Sequence, residues 1–266
     1  MFTVLFIVSW LAFSVGMSFV LGGYWIILWA VLGLLVAYLM LVLGMIFHVF
    51  VWFKLPLMNR FKNYGWRSMA YTLAHFVFNL RIKVIGKEKI PLKENLVVYS
   101  NHKSYLDPVI AIQVVKRPMA FTPKASLFKI PILRRGMIAM GCMPVYRDDN
   151  RKTAKALVET IKNIENGFAM VVFPEGGRKH RDTDSVVETR AGAFKLAVKP
   201  KATILPISIN GNSQIQHNAP FRSTKITVVI HDPIPYEVYK DLSTVEIGDM
   251  VAGIINSGMI NENEKE

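Results

Sequence analysis

With 52% hydrophobic and only 19% charged residues, this 266-residue chain is too apolar overall for an ordinary soluble domain. Its formal net charge of +13 points to anionic partners. The basic residues are dispersed rather than gathered in one run, which argues against nucleic acid and for an anionic lipid surface plus an anionic small molecule. A single cysteine, Cys142, excludes an intramolecular disulfide and suits a reducing compartment.

The apolar excess has one location. Residues 1–53 contain no Asp, Glu, Lys or Arg, and Lys54 is the first charged side chain. A bilayer core takes roughly 20 apolar residues as a helix. Phe2–Leu21 is one such stretch, Tyr24–Phe53 is a second, and Gly22-Gly23 breaks them apart. The pattern predicts a membrane-embedded helical hairpin over residues 1–53. A signal peptide fits badly, because no basic n-region is present and a second apolar stretch follows at once. A re-entrant or interfacial hairpin stays open, since the second segment is long for one straight span and carries His48. Lys54, Arg60, Lys62 and Arg67 follow the second stretch directly, so the positive-inside rule predicts that the rest of the chain faces the cytosol from the cell membrane.

Residues 54–80 mix basic, aromatic and apolar side chains, as an interfacial connecting helix would. Beyond them the pattern predicts an α/β domain over residues 81–266. Short β-rich runs cover Arg81–Ile85, Leu96–Tyr99, Met119–Thr122, Met143–Tyr146, Ala169–Phe173, Ala202–Ile209 and Ile226–Ile230. Helical patterns lie between several of them: Pro108–Val115, Asn150–Glu165, Ala191–Val198 and Thr244–Ile260. Such alternation predicts a mixed, largely buried sheet flanked by helices.

Two stretches carry chemistry. In "VVYSNHKSYLDPVIAI", residues 97–112, a strand hands over to a helix through His102 and Asp107. Asp107-Pro108 predicts a helix start, with Asp as N-cap and Pro at the first helical position. Within one helix, five residues rotate by about 140° and the two side chains would diverge. If residues 101–106 form a loop, His102 sits at the strand's carboxyl end, where α/β sheets bind ligands, and Asp107 can reach its ring. A carboxylate then fixes the imidazole tautomer while the free ring nitrogen takes a proton from a hydroxyl. No Gly-x-Ser-x-Gly elbow supplies a protein nucleophile, which leaves a substrate hydroxyl, or water.

The second stretch is "AMVVFPEGGRKHR", residues 169–181. A strand runs into Phe173-Pro174-Glu175, then Gly176, Gly177 and Arg178. The glycines allow a sharp turn whose N–H groups can hold an anion, and the Arg178 fork suits phosphate. Lys124, Arg147 and the Pro206 segment "ILPISI" are weak signals taken singly.

Together and in this order, these stretches resemble the lysophosphatidic acid (1-acylglycerol-3-phosphate) acyltransferase family of glycerolipid acyltransferases. The blocks that carry the resemblance run from Asn95 to Ile209: Asn101, His102 and Asp107; Gly141, Met143, Pro144, Val145 and Arg147; Phe173 to Arg178; and Leu205-Pro206-Ile207. The resemblance implies that His102 is the general base for the acceptor hydroxyl and that Asp107 orients it. It implies that Glu175, Gly176, Gly177 and Arg178 bind the acceptor, Arg178 through the phosphate, with Lys124 and Arg147 as further substrate contacts. It implies no metal and no cofactor, but acyl-CoA or acyl carrier protein thioester as co-substrate. The implied reaction moves the acyl chain to the sn-2 hydroxyl of lysophosphatidic acid, forming phosphatidic acid among membrane lipids. Gly177 stands where Thr is common, Lys179 where Ser often follows, and Ser126 where Glu is frequent. These departures bear on acceptor choice, so glycerol 3-phosphate, another lysophospholipid or a lyso-aminolipid stay open as acceptors. A thioesterase or lipase that uses water, and a non-enzymatic membrane scaffold, are the remaining readings.

Overall fold

The computed structural model of the chain describes residues 1–146 and 149–260. Its first helix, α1 (Phe2–Leu21), stops at Gly22, where a φ of 94° turns the chain into a 3₁₀ segment at Gly23–Trp25. The second helix, α2 (Ile26–Val51), packs back along α1. Glycines on α2 let the two approach: Gly33 lies against Ser14 and Trp10, and Gly44 against Leu5 and Phe2. Across the seam, Trp10 Nε1 donates to the Ala30 carbonyl at 2.8 Å and Ser14 Oγ to the Trp29 carbonyl at 3.3 Å. At 1.5 Å per residue α1 is about 30 Å long and α2 about 39 Å, enough to cross a hydrocarbon core of about 30 Å. The core helix of a soluble protein would be mostly covered. Here the most apolar windows are 0% and 17% buried, so the apolar side chains face outward.

The hairpin is rooted in α3 (Arg60–Thr72). Asn59 caps this helix by accepting the Lys62 N–H at 2.9 Å. Lys62 itself is buried and donates to the carbonyls of Phe53 (3.3 Å) and Leu55 (2.9 Å), which no longer have helical partners. Burial pulls its pKa below the ordinary lysine value. His48, near the end of α2, packs edge-on among Phe2, Trp52 and Trp66, and Gly65 leaves the room its ring needs. The expected connecting helix over 54–80 is therefore interrupted. It is helical at Arg60–Thr72, continues as a π turn at Leu73–Val77, and is preceded by a 3₁₀ turn at Trp52–Lys54.

The rest alternates strands and helices: β1 (Leu80–Ile85), β2 (Leu96–Ser100), α4 (Asp107–Val114), β3 (Met119–Phe121), α5 (Pro131–Ala139), α6 (Asn150–Glu165), β4 (Ala169–Val172), α7 (Lys195–Val198), β5 (Thr203–Asn210), α8 (Ile215–Asn218), β6 (Thr224–Ile230), α9 (Tyr236–Tyr239) and α10 (Thr244–Ser257). The strands form one mixed sheet in the order β1-β6-β5-β2-β4-β3. β5 and β6 are antiparallel, and every other neighbouring pair is parallel. This is the expected α/β class with a mixed, buried sheet. Every residue of β2, β4 and β5 is buried, and alternate side chains serve two core layers. Leu96 and Val98 face one layer with Ile110 of α4; Val97 and Tyr99 face the other with Phe194, Val251 and Ile255.

Two expectations need correction. Met143–Tyr146 is not a strand: it makes a single bridge, Val145 to Lys124, because Pro123 on the facing segment has no N–H to donate to the Met143 carbonyl. The helix expected to run to Ile260 ends at Ser257, next to Gly258. Three helices have no counterpart in the sequence reading: the four-residue α8 and α9, and the longer α5. The short periodic run of α5, Pro131–Ala139, is interrupted by Gly136, which weakens a helical pattern.

For the site, one feature of the sheet matters most. β5, β2, β4 and β3 are mutually parallel, so their carboxyl ends open on one edge. The register pairs Tyr99 with Val172, which sets the residues after β2 beside those after β4.

Candidate active site

Asn101 follows β2 and ties the loop to the neighbouring strand. Its Oδ1 accepts the Ile209 N–H at 2.9 Å, and its Nδ2 donates to the carbonyls of Ile209 and Asp184, each at 2.8 Å. The chain then folds back through residues 102–106 so that His102 meets Asp107. The His102 Nδ1 to Asp107 Oδ2 distance is 2.9 Å. Asp107 was expected as the N-cap of α4. Instead it is the first helical residue, and its carboxylate turns onto the loop. Oδ2 accepts the N–H groups of Lys103 (2.8 Å) and Ser104 (2.9 Å), and Oδ1 accepts Asn212 Nδ2 at 2.9 Å. The carboxylate is wholly buried and fully engaged, whereas the His102 side chain is 18% exposed. With Nδ1 donating to the carboxylate, Nε2 is left as the nitrogen that can accept a proton.

The residues after β4 complete the edge. Phe173 stacks on the imidazole, with centroids 4.2 Å apart and planes at 16°. Glu175 is 3% exposed. Its Oε1 accepts the His102 backbone N–H at 2.8 Å, and its Oε2 pairs with Lys103 Nζ at 2.6 Å, itself buried. Burial pushes the Glu175 carboxyl above the ordinary glutamate range, opposed by the Lys103 ammonium and the His102 N–H. Glu175, expected to bind the acceptor, has both oxygens engaged by protein donors and so links the two loops. Gly176 holds a φ of 65°, and a Cβ there would run into the Arg190 side chain. Gly177 continues the turn, its carbonyl accepting the Lys179 N–H at 3.1 Å. Arg178 lies over the Tyr105 ring with its guanidinium carbon 3.1 Å from the centroid, which fixes the fork above the loop that carries His102.

Lys124 follows β3 on the same edge and lines a cavity of about 550 Å³ with Phe173, Gly176, Arg190 and Lys195. Neither His102 nor Arg178 lines that cavity; Phe173 is the residue shared by the cavity and the His102 stack. Arg147 lies outside the described residues. The structure thus brings together His102, Asp107, Glu175, Gly176, Gly177 and Arg178, and sets Lys124 in the adjoining cavity. Lys103, Asn212, Phe173 and Arg190 were missed as parts of this site. Lys103 and Phe173 lie inside the quoted stretches and could have been weighed. Asn212 and Arg190 carry no local signal, and only the fold places them there.

A histidine held by a buried carboxylate thus lies at the carboxyl edge of an α/β sheet, beside an arginine and a glycine turn. The chain matches the Acyltransferase family model over residues 81–210, which contain both loops. It is 36% identical over 153 residues to the 1-acyl-sn-glycerol-3-phosphate acyltransferase of Borreliella burgdorferi, covering 57% of this chain and 60% of that protein. It is 28% identical over 199 residues to the chloroplastic 1-acyl-sn-glycerol-3-phosphate acyltransferase LPAT1 of Arabidopsis thaliana, covering 73% of this chain and 54% of that one. The chain thus spans between about half and three fifths of the length of these curated relatives. Among solved structures it resembles the 1-acyl-sn-glycerophosphate (LPA) acyltransferase PlsC from Thermotoga maritima. The TM-score is 0.65 at 25% identity, over 80% of this chain and 85% of that one.

Proposed function

We propose that this chain transfers an acyl group from a thioester, acyl-CoA or acyl carrier protein, to the sn-2 hydroxyl of a 1-acylglycerol 3-phosphate, forming phosphatidic acid. One observation carries this reading: a His102–Asp107 pair of 2.9 Å, in a chain without a Gly-x-Ser-x-Gly elbow, set on the edge that also carries Arg178. Asp107 holds Nδ1–H, and Nε2 removes the acceptor's hydroxyl proton. The alkoxide oxygen bonds to the thioester carbonyl carbon, the tetrahedral intermediate collapses, and the C–S bond breaks. The imidazolium returns its proton to the departing thiolate. Arg178 and Lys124 hold the acceptor phosphate, with Arg147 assigned the same task by the motif. Lys103 and Glu175 keep the His102 loop against the glycine turn. The hairpin α1–α2 seats the protein in the membrane, and the basic residues after it place the α/β domain on the cytosolic side, so the lysolipid reaches the site laterally.

The test is acyl transfer by the purified full chain in liposomes with labelled oleoyl-CoA, repeated with acyl carrier protein thioester. Acceptors are lysophosphatidic acid, glycerol 3-phosphate, lysophosphatidylcholine, or none. Label in phosphatidic acid, dependent on lysophosphatidic acid, is the expected result. Transfer only to another acceptor would replace the substrate, and fatty acid released without acceptor would make the reaction a hydrolysis.

A further inference from the structure

A second basic site lies away from the catalytic edge. We propose that a cavity ringed by Arg67, Lys87 and Lys116 takes a phosphate group, presented by the headgroup of an anionic membrane lipid. The cavity encloses about 820 Å³ between the first residues of α1, the Tyr64–Tyr71 flank of α3, Ile82 and Val84 of β1, and the last turn of α4. No acidic side chain lines it, and among the described residues none of the three cations has an acidic partner. Arg67 is half-buried; Lys87 and Lys116 are exposed at the rim. Close contact with the Lys87 ammonium, and its charge, pull the Lys116 pKa down, with smaller parts from burial and Arg67. The carbonyl end of α4 offers about half an elementary charge against three cations, so most of the repulsion is left for an anion to relieve. A phosphate accepts from several such donors at once.

The position selects the source. The first turn of α1 is pinned to α3 at this cavity, Phe2 N–H to Ser68 Oγ at 3.0 Å and Thr3 to Thr72 at 3.2 Å between hydroxyls. The cavity is therefore at the root of the hairpin, where headgroups lie once α1 and α2 are in the bilayer; the lipid source rests on that reading. The site is separate from the catalytic one. β1 runs opposite to β2, so Lys87 and His102 lie at opposite ends of the sheet. Asp107 begins α4 and Gln113 lies in its last turn, about 9 Å away along the axis.

The test uses the full chain in neutral detergent, followed by thermal unfolding. The probes are dihexanoyl phosphatidylglycerol, dihexanoyl phosphatidylcholine and inorganic phosphate. The proteins are the wild type, Lys87→Gln/Lys116→Gln, Arg67→Gln, and Arg178→Ala as a control for the catalytic edge. Phosphatidylglycerol should raise the unfolding temperature saturably in wild type and Arg178→Ala, with an apparent Kd at least ten-fold weaker in the double variant. Unliganded unfolding at the wild-type temperature confirms that the double variant folds, and Arg67→Gln repeats the test should it not. The same ten-fold loss with inorganic phosphate alone keeps the anion site and makes free phosphate its ligand. Equal affinity in the basic-site variants, loss in Arg178→Ala, or equal effect of phosphatidylcholine overturns the proposal without touching acyl transfer.

Discussion

The hairpin and the catalytic edge depart from the ordinary rule of folding in opposite directions. The hairpin exposes what is normally buried: Phe19 is 86% and Ile27 79% exposed. The edge buries what is normally exposed: Asn101, Lys103, Asp107 and Glu175 are all buried. In water both are costly, and each has its own compensation. The outward apolar side chains need a non-aqueous neighbour. The inward polar ones are each met by a hydrogen-bond partner, so the loop holding His102 is over-determined rather than flexible. Two buried lysines sharpen the contrast. Lys62, below the hairpin, is held by backbone carbonyls alone, whereas Lys103 has a carboxylate at 2.6 Å.

Asp107→Asn should break the edge most severely. An amide keeps one acceptor oxygen, so its NH2 must face either the Asn212 amide or the loop N–H groups and the imidazole, and it no longer carries the charge that holds Nδ1–H. The turnover should fall by about 10³–10⁴-fold, the scale seen when such a carboxylate is neutralised, with circular dichroism unchanged. Lys103→Met leaves the Glu175 carboxylate buried without its counter-charge and should cost about 3–5 kcal/mol in denaturant unfolding. Lys103→Met/Glu175→Met should be less destabilised than the sum of the single changes, with kcat rather than acceptor KM carrying the loss. If Glu175→Gln changes only KM, Glu175 is a substrate ligand and not a clamp. Leu35→Arg places a charge on the outer face of α2 and should cost about 3 kcal/mol of insertion, read as a shift from membrane to soluble or aggregated fractions. Arg178→Ala removes one charge-assisted contact and should raise acceptor KM by about 10–100-fold while leaving kcat nearer the wild-type value. Cys142 should give the smallest effect. Burial pushes its thiol up to about 12, so maleimide labelling of the folded protein at pH 8 should be far slower than in urea.

Much of this contrast can be read in the chain itself. An uncharged stretch of 53 residues is a one-dimensional signal, and the helix end at Leu21 follows from the Gly22-Gly23 break, whereas the second helix, expected from Tyr24, starts at Ile26 after a 3₁₀ segment. Two of the motif blocks, those of His102 and Glu175, mark the ends of β2 and β4, because parallel strands deliver their following residues to one edge. What the sequence does not display are partners fixed only by three-dimensional closure. Asn212 is 105 positions from Asp107, and no pattern links them. Lys103 reads as a solvated lysine until β2 and β4 are paired, since its carboxylate is 72 positions away. Asp107 was legible as a helix start but not as the acceptor of loop N–H groups, because the same residue type serves both tasks and only the loop's return path decides between them. The bridge at Val145 looked like a strand because its side chains suit one, while Pro123 opposite it lacks the next ladder donor and limits it to one pairing.

The central claim is that His102, held by a fully satisfied buried carboxylate, is the base for a lipid hydroxyl. The most direct measurement is transfer of label from oleoyl-CoA to lysophosphatidic acid by wild type and His102→Ala side by side, at equal fold by circular dichroism. The account predicts labelled phosphatidic acid from the wild type and a drop of at least about 10²-fold in the variant. Transfer by His102→Ala at the wild-type rate would contradict it.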